Sequence, residues 1–77
     1  MALKRYVSES PDGTRTARLV TTRKGTFTHA IWLQHTGEWR LLTWVASERQ
    51  RDVKLARYAI ELPTHTLTAV PAYESAQ

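Results

Sequence analysis

The sequence predicts a single small α+β domain, in which an antiparallel meander of three to four strands packs against one helix running from about Ser47 to Leu62. Three observations predict it. From Lys4 to Ala46, side-chain character alternates with the period of two that a strand imposes. Turn-forming residues interrupt that pattern at Ser10-Pro11-Asp12-Gly13, Arg23-Lys24-Gly25 and His35-Thr36-Gly37. The period then becomes helical directly after a capping signature at Ser47.

The first strand is expected from Lys4 to Glu9, closed into a hairpin by the Pro11-Asp12-Gly13 turn. Proline presets the backbone angle of the first corner, and glycine accepts the positive angle that follows. The second strand, Thr14 to Thr22, has no strongly apolar face and is expected at a sheet edge. The third, Thr26 to Gln34, alternates Phe27, His29, Ile31 and Leu33 with Ala30, Trp32 and threonines, which suits one buried and one half-covered face. The fourth, Glu38 to Ala46, carries large apolar groups on both faces (Trp39, Leu41 and Val45 against Leu42 and Trp44) and is expected to be central.

Ser47 is a favourable N-cap, and Gln50 completes an S-x-x-Q capping box. On a helical wheel Val53, Leu55, Ala56, Ala59, Ile60 and Leu62 fill one broad arc, opposite Gln50, Lys54, Arg57 and Glu61. Pro63 stops the helix, and the β-branched run from Thr64 to Val70 offers a short extra strand. The domain is expected to span residues 1–72, with Tyr73 to Gln77 a frayed tail. Its expected core is Val7, Leu19, Phe27, Ile31, Leu33, Leu41, Val45, Val53, Ala56 and Ile60.

A chain of 77 residues without cysteine can rely on neither disulfides nor thiolate-bound zinc, so packing or self-association must stabilise it. The cysteine-free composition suits a reducing cytoplasm, and no apolar run approaches the roughly 18 residues of a membrane span. The expectation is a cytoplasmic protein.

Catalysis needs parts that are missing from the sequence. There is no G-x-S-x-G elbow and no glycine-rich phosphate loop, and nothing joins Ser47, His29 and Asp52 into a triad. His29, His35 and His65 lack metal-ligand spacing, and His29 shares a strand face with Phe27, Ile31 and Leu33, as a histidine bonded within the sheet would. The reading is therefore non-enzymatic, with no catalytic residue, metal or cofactor.

The formal charge of +4 is unevenly spread, with every lysine and arginine between Lys4 and Arg57. Such a body favours an anionic partner. Arg15, Arg18, Arg23 and Lys24 fall along one strand and its turn among threonines that can bond phosphate oxygens, which puts nucleic acid ahead on charge. A solvated edge hairpin, its charges guarding against strand pairing, accounts for the same residues. The alternative function is protein binding, with Trp32, Arg40 and Trp44 as interface anchors on a sheet face that one helix leaves uncovered. That face could also make a homodimer, and no membrane or small-molecule partner is implied.

Pro11-Asp12-Gly13-Thr14, Thr21-Thr22-Arg23-Lys24, the strand Thr26-Phe27-Thr28-His29-Ala30-Ile31 and the run from Trp39 to Trp44 before a helix resemble small accessory proteins of actinobacterial phages, many with a T-[YF]-T-H-A-[VI] strand. The resemblance covers roughly residues 11–62. It implies a phage gene product of unassigned function acting in the host cytoplasm on nucleic acid or a host protein, and it transfers no site residue. The β-β-β-α order is also similar to the arm-site DNA-binding domain of some phage integrases, whose sheet enters the major groove, though only as a fold analogy.

Overall fold

In the computed structural model, which describes residues 3–22 and 24–75, the chain is a small α+β domain of six strands in two three-stranded antiparallel sheets, with one helix. The strands are β1 (Lys4–Glu9), β2 (Thr16–Thr21), β3 (His29–His35), β4 (Glu38–Val45), β5 (Thr66–Pro71) and β6 (Tyr73–Ser75), and helix α1 spans Glu48–Glu61. The first sheet has the order β2-β1-β6 and the second β4-β3-β5.

The two hairpins form where the turn residues predict. Gly13 N–H donates to the Ser10 carbonyl at 2.9 Å, while Asp12 Oδ1 accepts from the hydroxyls of Ser10 (2.7 Å) and Thr14 (2.8 Å) and from Thr14 N–H (3.1 Å). At the second hairpin, Thr36 (φ 57°) and Gly37 (φ 89°) both adopt positive φ, the condition for a two-residue turn whose twist matches its strands.

The meander itself breaks after β2. β3 pairs with β4 and β5 rather than with β2, so β3 is central in its sheet and β4, expected to be central, is an edge strand. The apolar groups on both faces of β4 have a different origin: one face meets the first sheet and the other meets α1. A bulge at Ile31/Trp32, where Leu42 of β4 has no partner, adds local bend and twist.

One bent strand joins the sheets. β5 pairs with β3 as far as Pro71, Ala72 N–H donates to the Thr28 carbonyl at 2.9 Å, and β6 then pairs with β1. Proline, with no N–H for a ladder, occupies the position where the strand leaves the second sheet. The expected frayed tail is therefore, from Tyr73 to Ser75, a strand of the first sheet, and its last two residues lie outside the described ones.

Between the sheets lies an aromatic core. Ala30, Trp32 and Trp39 are buried there, with Ala17, Leu41, Trp44 and Val70 packed against them, and Tyr6 is buried on the inner side of β1; Ile31 and Val45 are buried on the opposite face of the second sheet. Trp32 Nε1 donates to Ser8 Oγ at 3.1 Å across the sheets, and the Ser8 hydroxyl in turn donates to the Pro71 carbonyl at 3.4 Å. Phe27 meets the Tyr6 ring edge-on at 5.3 Å and lies 6.3 Å from that of Trp44. Of the expected core, Ile31 and Val45 are buried, and Val7, Leu19, Phe27, Leu33 and Leu41 are half-buried.

The helix corrects the expectation most. Ser47 Oγ accepts from Gln50 N–H at 3.1 Å, as the capping box requires, while Gln50 Oε1 reaches one residue further back to Ala46 N–H at 2.7 Å. Its inward residues are Arg51, Leu55 and Tyr58, followed by Leu62, all half-buried at helical spacing. Val53 and Ile60, expected in the core, are 60% and 81% exposed, and Ala56 is exposed with them. Apolar residues lie on two sides of this helix, and the sheet takes the side with the larger groups.

Candidate functional site

Pairing register fixes which side chains share a face, because directly opposed residues on neighbouring strands point the same way. On β1, Tyr6 and Ser8 point inward with their β2 partners Leu19 and Ala17. Arg15 continues that inward parity beyond the end of β2, and its guanidinium lies 3.5 Å from Glu38 at the start of β4. Arg18 points to the opposite face. Lys24 is exposed in the turn beyond β2, and Arg23 lies outside the described residues. The predicted basic strand and turn is thus divided, with Arg15 and Arg18 on opposite faces of one sheet.

The predicted protein-contact residues are divided as well. Trp32 is 2% exposed, and Trp44 is half-buried against Phe27 on the same inner side, so the sheet face expected to lack cover is covered by the first sheet. Arg40 is exposed at the molecular edge, where its guanidinium also lies 3.5 Å from Glu38. The structure therefore brings Arg15 and Arg40 together around one carboxylate.

The outer face of the first sheet is open. One row across it is Arg18, Val7 and Tyr73, and the next is Val20, Arg5 and Ser75. Leu3 continues the β1 alternation onto the same side. Leu3, Val20 and Tyr73 are 56%, 55% and 65% exposed, which makes this face the site of three of the five large exposed hydrophobic residues among those described. No ion pair engages Arg5 or Arg18 among the described residues. A shallow depression runs past Arg5, Val7, Arg18, Val20 and Ser75.

Sequence reasoning missed this face for two reasons. The sequence reading puts Val7 in the core and gives Arg5 no role, and Tyr73 falls in the segment expected to fray. The alternation within β1 carried the signal for Arg5 and Val7, but only the β1–β6 pairing brings Tyr73 alongside. Elsewhere His29 is bonded within the fold, its Nδ1 2.9 Å from Thr28 Oγ1 and its Nε2 3.4 Å from Arg51 Nη1. No group of three or more histidine, cysteine, aspartate or glutamate side chains capable of holding a metal occurs among the described residues, and no described helix is long and apolar enough to cross a membrane. The chain matches no protein-family model, no curated protein and no solved structure.

Proposed function

We propose that the chain acts by binding a protein partner through the outer face of its first sheet, without chemistry of its own. The observation carrying this reading is the coincidence on one uncovered face of exposed Tyr73, Val20 and Leu3 with the unpaired guanidinium groups of Arg5 and Arg18. Tyrosine and arginine flanked by aliphatic groups are the usual anchors of protein interfaces, and contiguous exposed apolar surface of this kind marks such sites. Among the described residues, the cations of Arg5 and Arg18 against the carboxylate of Glu9 on that face call for an acidic partner. They also oppose self-association, since a two-fold axis through the face would bring like charges together. The resemblance over residues 11–62 to actinobacteriophage accessory proteins suits this role, with a host protein as the target.

A second reading, single-stranded nucleic acid, draws support from the same Tyr73, which can stack a base, and from the +4 charge. The readings separate by experiment. Affinity capture from nuclease-treated host lysate should retain a defined protein on the wild-type chain and lose it with Val20→Asp/Tyr73→Ser, changes at exposed positions that should alter stability by less than about 0.5 kcal/mol each. Retention should survive elevated salt. If a labelled oligonucleotide binds instead, and log affinity falls with log salt by roughly 0.7 per phosphate contact, nucleic acid is the partner.

A further inference from the structure

We infer that His35 and His65 form a two-imidazole binding site for a divalent first-row transition ion, with water completing the coordination. The residues are thirty positions apart (65 minus 35), and the β3–β5 register places them side by side: Gln34 opposes Thr66, so the next positions outward are His35 and His65. Their rings face each other with centroids 4.3 Å apart and planes inclined by 28°. Directly opposed strand positions hold their Cβ atoms about 5 Å apart, close enough for one nitrogen of each ring to meet on a single ion once the rings turn out of their stack.

The surroundings fit a chelate. His65 Nδ1 lies 3.3 Å from Thr64 Oγ1, a hydrogen bond that fixes the ring and leaves Nε2 free, in the manner of the outer-shell partners that orient metal-binding histidines. His35 lies next to a tight turn whose two central residues have positive φ, which limits the freedom of its backbone. Both rings line an open concavity, bounded also by Leu33, Thr36, Glu38 and Arg40, that admits the ion with its water. The Glu38 carboxylate opposes His35 on the other side but is engaged by Arg15 and Arg40, each at 3.5 Å. Paired in this way, it is not a ligand. An imidazole-and-water donor set selects Cu²⁺ above Zn²⁺ and Ni²⁺, and excludes Mg²⁺ and Ca²⁺.

The test is titration of the isotopically labelled full chain with Zn²⁺, followed by the ring C–H resonances of all three histidines, with Mg²⁺ as the control ion. The inference expects saturable one-to-one shifts at His35 and His65 with His29 unmoved, and no response to Mg²⁺. His35→Gln and His65→Gln should each weaken Zn²⁺ by more than about 10-fold, since losing a donor exceeds the loss of an outer-shell partner. Affinity should also be lower in acid than at neutral pH, because protons compete for the same nitrogens. Unchanged tryptophan fluorescence in both variants shows that they fold. Shifts centred on His29, wild-type affinity in either variant, or no shift at millimolar Zn²⁺ would each overturn the site.

Discussion

At the scale of single residues, Ser8 and Asp12 carry more of this fold than their size suggests. Ser8 is fully buried, and its hydroxyl satisfies the Trp32 indole while donating to the Pro71 carbonyl, so one oxygen ties three strands and both sheets. Ser8→Ala would leave a buried indole N–H without its acceptor, at a cost of about 1 to 3 kcal/mol. Chemical denaturation checks this, and an unchanged midpoint would show that the tie contributes nothing. Asp12 accepts hydrogen bonds from the Ser10 side chain and then from the Thr14 side chain and backbone, and these hold its carboxyl below the ordinary carboxylate pKa. With the folded value below the unfolded one, the turn's stabilising contribution is present above the ordinary value and is lost as pH falls through the depressed one. The difference in stability between wild type and Asp12→Asn should therefore shrink below about pH 4. An Asp12 resonance titrating at or above the ordinary value would contradict the geometry.

Elements obey local rules where the chain is local, and tertiary rules elsewhere. Ser47→Ala should destabilise the fold by about 0.5 to 2 kcal/mol, because Gln50 N–H loses its acceptor. The turn at Asp12, the cap at Ser47 and the first strand were legible in the sequence because the chemistry of each closes within a few residues. Which helix face turns inward was not. Val53, Ala56 and Ile60 form as regular a stripe as Leu55, Tyr58 and Leu62, and only the size of the groups separates the two. Ile60→Ser should accordingly change stability by less than about 0.5 kcal/mol, whereas Leu55→Ala should cost about 1 kcal/mol or more. The reverse order in thermal unfolding would restore the sequence-based face. β6 was invisible for a related reason: three residues from Tyr73 to Ser75 are too short to show an alternation, and they become a strand by pairing with the edge of β1.

For the whole molecule, the bent strand β5–β6 decides which sheet faces are covered. By crossing at Ala72 it folds the first sheet over the tryptophan-bearing face of the second, and so buries Trp32 and half-buries Trp44. The outer surface of the first sheet stays open, as the exposure of Leu3, Val20 and Tyr73 shows. The structure divides the arginines and tryptophans that the sequence singles out: Arg15 and Arg18 lie on opposite faces of the first sheet, and Trp32 is buried between the sheets. A single meander was assumed, and strand pairing between residues as distant as Val7 and Tyr73 leaves no local trace. The most direct test of the proposed surface is amide hydrogen exchange of the chain, free and bound to the protein captured from nuclease-treated lysate. Added protection along β1, β2 and β6, centred on Arg5, Arg18, Val20 and Tyr73, is the predicted result; protection confined to α1, or to β3 and β4, would contradict the assignment.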